Sequence, residues 1–260
     1  MANIHIPSFI PETIFSIGNL RVTNTVINVW IAIAMFLIFG LVLRRRLALR
    51  PGKLQNACEY ILDLVLSYFD QVTGSRARTL RFLPVVGSVF FFILLSNWLG
   101  LFPGTGSILV HHEPLMRPAN TDLNLTVAMA LVAVVSSHLF AFGTIGIFTH
   151  LNKFLQFGTV VKSFAHGPIT IFTALVEFMV GLIEIVGEMA KVVSLSLRLF
   201  GNIFAGEVLI SVISGLAGAI VPLPFMMLEI LVGLIQASVF AMLTLVYVSV
   251  STAELASAEH

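Results

Sequence analysis

Residues 169–220 run 52 positions without a proline, roughly 78 Å if they form one helix. The run is apolar almost throughout, and about 20 such residues suffice to cross some 30 Å of hydrocarbon. Two solutions remain: the segment breaks near Gly215 or Gly218, or it is one strongly tilted helix lying deep in a bilayer. Both require a membrane. The composition agrees, at 58% hydrophobic and 10% charged, where a soluble domain carries about 25% charged residues. A net charge of +1 provides no bulk field for nucleic acid. The single cysteine, Cys58, excludes an internal disulfide framework and a cysteine-based zinc site.

Further spans are expected at 26–43, 82–101, 125–148 and 225–252, the last following the hard turn "VPLPF". Residues 54–72 place Leu54, Cys58, Ile61, Val65, Tyr68, Phe69 and Val72 at helical spacing, with Glu59, Asp63 and Asp70 opposite. That pattern predicts an amphipathic helix on the membrane surface. The expected fold is therefore an all-α integral membrane protein: five membrane-embedded helices, one interfacial helix, and an arm over 1–25 preceding a single membrane domain over 26–260. "LFPGTG" opens a polar loop that reaches Asp122. Ten of the fourteen lysines and arginines lie in 44–53, in 76–81 and at Lys153 and Lys162. By the positive-inside rule those segments are cytoplasmic, the N-terminus is outside and the C-terminus is inside. "MANIHIPSFIPETIF" lacks the basic region of a cleaved secretory signal. No internal repeat of 20 to 50 residues is visible, which argues against an inverted-repeat transporter.

Ionisable residues inside spans are rare and costly. Here Glu177, Glu184, Lys191 and Arg198 recur every seven positions, within about 60° of one another on a helix. Glu188 and Asn202 lie near the same stripe, with Glu188 and Lys191 spaced to pair. Glu184 and Glu188, one turn apart, suit a hydrated cation path. Glu207, nine residues past Arg198, addresses another surface. On the last helix Glu229 and Gln236 share a face. Glu177 and Lys191 are equally explained by snorkelling or helix pairing. Arg198 is harder to explain away, because a guanidinium does not deprotonate and a fixed charge at this depth needs an anion. An anion from outside the chain is expected. A carboxylate brought to the arginine sheds its proton, and one moved away into lipid regains it.

"SLSLRLFGNIFAGE" at 194–207, "LIQASVFAMLTLVYVS" after it, "NWLGLFPG" at 97–104 and "TDLNLTVAMAL" at 121–131 resemble subunit a of the F-type ATP synthase membrane sector. The resemblance covers nearly the whole chain from Asn19. It implies five crossings, the last two a long tilted hairpin following a ring of c subunits. It also implies partnership with the b subunit peripheral stalk within the F-type complex, and residence among the lipids of a bacterial inner (plasma) membrane. Arg198 is similar to the family's essential arginine facing the ring carboxylate, Gln236 to the glutamine that supports it, and Asn202 to the polar neighbour one turn on. Glu207 matches the acidic residue of an outer half-channel, with Glu229 at its partner position, so two facing carboxylates are expected to share a proton. Asn97 resembles a polar residue of the outer path; the acidic position some relatives have three places later is Gly100 here. Glu184 is similar to the acidic residue at the inner mouth, with Ser194 and Lys191 nearby.

His138 and Glu188 are further candidates, His138 for the outer path or for a bond to a neighbouring helix. His111 and His112 read as solvated, since "HHEP" lacks metal-ligand spacing. Tyr247 and the phenylalanines read as packing and interface anchors, and the sequon "NLT" as chance. No cofactor, metal site or nucleic-acid partner is implied. The expected role is a non-catalytic stator with two offset proton half-channels separated by Arg198, ATP chemistry lying on other subunits. The alternative is an independent cation channel or antiporter. An intramembrane hydrolase is disfavoured by the lack of HExxH and GxSxG.

Overall fold

The computed structural model describes residues 8–18, 20–102, 109–110, 113–147, 150, 168–218 and 220–253. The Pro/Gly turn at 103–106, His111, His112, Phe148, Lys153, Lys162 and the tail at 254–260 lie outside these residues. Among the described residues there are six α-helices: α1 (Asn24–Arg46), α2 (Lys53–Thr73), α3 (Arg76–Gly100), α4 (Leu123–Ile145), α5 (Pro168–Ala217) and α6 (Leu223–Ala253). Two short antiparallel ribbons, β1–β2 (Thr13–Ile17 with Leu20–Thr23) and β3–β4 (Leu109–Val110 with Glu113–Pro114), and a 3-10 turn at Ala119–Thr121 complete them. All the long helices except α2 are long and apolar enough to cross a membrane, so the chain is an all-α integral membrane protein.

Of the two solutions for the proline-free run, the continuous helix is the one formed. Helix α5 has 50 residues, about 75 Å at 1.5 Å per residue, and fits roughly 30 Å of hydrocarbon only at a steep tilt. Pro168 stands at its first position, where a missing N–H costs nothing. It stops at Gly218, whose φ of +77° is left-handed and ends the helical path. Pro222 then accepts from the Met226 N–H at 2.9 Å and α6 returns. The two helices form a hairpin.

The core lies where α6 packs on α3, α4 and α5. Phe82, Val86, Phe90 and Ile93 of α3 meet Ala237, Phe240, Ala241 and Leu245 of α6, with Ala130 and Ala133 of α4 and Leu195, Leu199 and Ile203 of α5 closing the cluster. In lipid, helix association rests on close packing, and alanines at the contacts let backbones approach. Phe69 anchors α2 into the same cluster; Leu54 and Ile61 of α2 remain open to the surroundings. One end of the bundle carries the β1–β2 hairpin, the other α2 and the basic turns. At the hairpin end Asp122 caps α4 through the Asn124 N–H (2.9 Å) and accepts from Thr25 Oγ1 (3.1 Å), while Asn28 Nδ2 donates to the Arg117 carbonyl (2.8 Å).

At the other end, Gly74 caps α2 with φ +65° and donates its N–H to Asp70 O at 2.9 Å. Arg76 bridges Asp63 (2.7 Å) and Asp70 (3.0 Å), and the Thr73 and Thr79 hydroxyls meet at 2.6 Å. The Thr79 hydroxyl, with Arg76 behind it, holds the Asp70 carboxyl below its ordinary 3.8 against partial desolvation. A carboxyl lowered in the folded chain contributes stability above its ordinary value and loses it as pH falls through the folded one. Asp70→Asn is expected to loosen the α2–α3 corner at neutral pH and to remove its acid sensitivity, measured by limited proteolysis across a pH series. Gly74→Ala, which forces a side chain into the left-handed region at about 1–2 kcal/mol, is expected to loosen the same corner without changing that sensitivity.

Candidate functional site

Helix α5 presents two faces. Leu195, Leu199 and Ile203 are buried, and the opposite stripe of Ser194, Leu197, Arg198, Gly201 and Ala205 is exposed. Arg198 therefore points away from its own bundle. Its Nη2 donates to Ser194 Oγ at 3.5 Å, and among the described residues its guanidinium forms no ion pair. The expectation that its anion must come from elsewhere is consistent with this geometry.

Toward the hairpin end, one turn past Arg198, Asn202 Nδ2 donates to Gln236 Oε1 at 2.6 Å. This bond links α5 to α6 one turn from the arginine. Further on, both oxygens of Glu207 accept from Arg117: Nε at 2.9 and 3.1 Å, and Nη2 to Oε2 at 2.9 Å. Arg117 is only 3% exposed and lies 5.9 Å from the Phe204 ring centroid, with Phe9 stacked on Phe204 at 4.7 Å. Each of the two carboxylates expected to face one another has a further neighbour. Glu207 is drawn to Arg117, and the Glu229 carboxyl lies against Gly206, where any Cβ would overlap it. A bidentate guanidinium is the stronger partner, because it supplies parallel charge-assisted bonds where a second carboxylate supplies repulsion. Asn97 joins the same region from α3, donating to Gly233 O (3.2 Å) and accepting from Asn120 Nδ2 (2.6 Å).

On the other side of Arg198, Glu188 accepts from Lys191 Nζ at 2.6 Å, as the spacing predicts. Its other oxygen lies 3.6 Å from His138 Nε2, and His138 Nδ1 is 3.0 Å from His150 Nε2. Lys191 also sits over the Tyr247 ring at 4.9 Å, which gives that tyrosine a partner more specific than packing. His138 is thus placed with Glu188, away from the Glu207 and Glu229 region in which the outer path was expected. Glu184 lies half-buried one turn before Glu188. Among the described residues no group of His, Cys, Asp or Glu is arranged to hold a metal ion.

Arg117, Asn120 and His150 escaped sequence reasoning. Arg117 precedes a proline in a polar loop, where an arginine ordinarily faces water, and only the fold of that loop onto α5 buries it. Its signal was weak but present: it is one of only four cations outside the basic segments, and two of the others are Lys191 and Arg198.

Residues 26–249 match the family described as ATP synthase A chain. The chain is 34% identical over 225 residues to ATP synthase subunit a 3 of Pelobacter propionicus, covering 86% of each. It is 33% identical over 225 residues to ATP synthase subunit a of Geotalea daltonii, again over 86% of each. With ATP synthase subunit a of Moorella thermoacetica it shares 30% identity over 239 residues, 92% of this chain and 95% of the relative. A match over most of the length, with Arg198 set on an exposed stripe between two polar clusters, shows that this chain belongs to the ATP synthase A chain family.

Proposed function

We propose that this chain is the proton-translocating stator of a rotary ATP synthase, supplying two offset half-paths to carboxylates on a ring of c subunits. The observation that carries the reading is Arg198, a permanent charge in mid-helix, exposed from its own bundle and flanked by Ser194, Gly201 and Ala205. Small residues around a charge leave room for a partner helix to approach closely.

The polar clusters lie on opposite sides of that charge. One leads from the hairpin end through Asn97, Asn120, Glu207, Glu229, Asn202 and Gln236. Asn120 Oδ1, Arg117 Nη1, Glu229 Oε1 and Gln236 Nε2 are buried there without a protein partner among the described residues. Buried polar atoms of this kind are ordinarily satisfied by water, which supports a hydrated path on the outer side. The other cluster leads through Glu184, Glu188 and Lys191 to the cytoplasmic face. A proton from outside neutralises a ring carboxylate, which enters lipid and rides round to the inner path. Arg198 then strips the proton by stabilising the anion, and its charge keeps the two paths from joining. Each charge crossing 100 mV releases about 2.3 kcal/mol, so several transfers must be pooled for one synthesis step, as a ring does. The chain has no nucleotide-binding loop, and the ATP chemistry lies on other subunits. The N-terminus faces outside, the C-terminus the cytoplasm, and the b subunit peripheral stalk holds the chain against the turning ring.

In membrane vesicles containing the assembled complex, Arg198→Ala is expected to abolish ATP-driven acidification while passive proton leak stays or rises. Unimpaired coupled pumping by that variant would contradict the reading. Arg117→Ala is expected to cost about 3–5 kcal/mol by removing the buried guanidinium that binds Glu207, seen as a lower yield of assembled complex and a lower melting temperature. Adding Glu207→Gln to it should recover part of that loss. Gly206→Ala is expected to displace the Glu229 carboxyl and slow pumping, whereas Gly40→Ala, which has nothing within 4 Å, is expected to leave it unchanged.

A further inference from the structure

Between Glu12 and Glu59 the chain has no aspartate or glutamate, yet Arg44, Arg45, Arg46, Arg50 and Lys53 fall within it. All of these cations are exposed, and among the described residues none of them forms an ion pair. The C-terminus of α1 explains only part of this. A helix end carries about half a negative charge, whereas Arg44, Arg45 and Arg46 together fill the last turn. Residues 24–43 are uncharged and make about 30 Å of helix, so the arginines emerge where the hydrocarbon ends and the headgroups begin.

The turn between α1 and α2 is held in shape by a buried amide. The Ala48 N–H donates to Gln55 Oε1 at 3.1 Å, and Gln55 Nε2 donates to the Ala48 carbonyl at 3.2 Å. The same Nε2 donates to Glu59 Oε1 at 2.8 Å, so the first carboxylate of α2 is engaged by the amide and not by the arginines. Leu47 and Leu49 stand open beside the cations, Leu49 completely. On α2, Leu54, Ile61, Leu64 and Tyr68 are open as well and fall on a stripe about 80° wide. Glu59, Asp63 and Asp70 lie on the opposite side of that helix. The surface thus joins unpaired guanidinium groups to an exposed apolar rim.

We propose that the α1–α2 turn binds an anionic phospholipid, its phosphate held among Arg44, Arg45, Arg46 and Arg50 and its acyl chains lying against Leu47, Leu49 and the open stripe of α2. A guanidinium grips phosphate oxygens through paired N–H bonds. Leucines and arginine stems enter the acyl boundary while the charges stay at headgroup level. A zwitterionic lipid would bring an ammonium group into a cluster that is already strongly positive, so the turn selects by headgroup charge, at about fivefold in affinity per cation near an anionic surface. A water-soluble acidic segment matches the arginines but leaves the leucines and the α2 stripe uncovered; an anionic lipid matches both. The site uses none of the residues assigned to the proton paths and stands independently of the stator reading.

The test uses the assembled complex in phosphatidylcholine nanodiscs carrying a trace of photoreactive phosphatidylglycerol or photoreactive phosphatidylcholine, with labelled residues mapped by mass spectrometry. Phosphatidylglycerol is expected to label residues 44–68 at least about fivefold more than phosphatidylcholine does, and added inorganic phosphate is expected to leave that labelling unchanged. Combining Arg44→Gln, Arg45→Gln, Arg46→Gln and Arg50→Gln is expected to reduce it to the phosphatidylcholine level. If that variant does not assemble, Arg45→Gln with Arg50→Gln serves, with most of the preference lost. Arg78→Gln with Arg81→Gln removes two cations from the same end of the bundle, beyond the 21 residues of α2. That helix is about 31 Å long against a screening length of about 8 Å, so this variant is expected to keep the preference. Equal labelling by the two lipids, or no labelling at the turn in the assembled complex, overturns the site. Displacement by phosphate overturns it by making a free anion the ligand, and an equal loss in the Arg78 and Arg81 variant overturns it by reducing the effect to diffuse surface charge.

Discussion

A guanidinium that cannot give up its proton, held in the middle of an apolar helix, is the constraint from which the rest of this molecule follows. Removed from water and left alone, such a charge is among the most expensive groups a chain can place in hydrocarbon. The bundle does not neutralise it internally. Leu195, Leu199 and Ile203 turn the opposite face of α5 into the core, so Arg198 is directed outward by the same packing that secures the helix. A permanent charge displayed in this way is stable only where a mobile carboxylate or a hydrated surface meets it, and both are features of a rotary stator.

The second feature is the use of α6 as a common wall. Its alanines and Phe240 pack against three helices, while Glu229 and Gln236, two turns apart, supply polar groups toward α5. Gln236 fixes Asn202 at 2.6 Å, and Glu229 occupies space that exists only because residue 206 has no side chain. Arg117 compensates Glu207 from a loop held by Asn28. Acidic groups near one another are thereby given different partners, one a guanidinium and the other a backbone surface. The polar cluster is built from bonds between elements distant in sequence, so helix packing sets its geometry.

What could be read in the sequence was what local periodicity encodes. Composition, the proline-free run and the basic turns specify an all-α membrane bundle, and the seven-residue recurrence through Arg198 places the charges on one stripe. The Glu188–Lys191 pair followed from spacing alone. Contacts between elements were not legible. Whether α5 breaks or continues depends on packing over its whole length, and Gly215, weighed as a break, lies within a continuous helix while Gly218 ends it. His138 could not be decided between the outer path and a bond to a neighbouring helix without knowing which turn of α5 lies opposite it. Arg117 looked like a loop charge because nothing local distinguishes a buried loop arginine from a solvated one, so its bond to Glu207 could not be foreseen.

The proposed half-paths require water to reach Arg198 from both sides without passing it. Single cysteines placed along α5, in a chain whose Cys58 has been replaced, can be labelled with a membrane-impermeant thiol reagent applied to one face of the membrane at a time. Positions 202 and 205 are predicted to react only from the face carrying the β1–β2 hairpin, and positions 184 and 187 only from the face carrying α2. A continuous run of positions across 198 that reacts from one face would contradict the account, since it would describe an open channel in place of two separated half-paths.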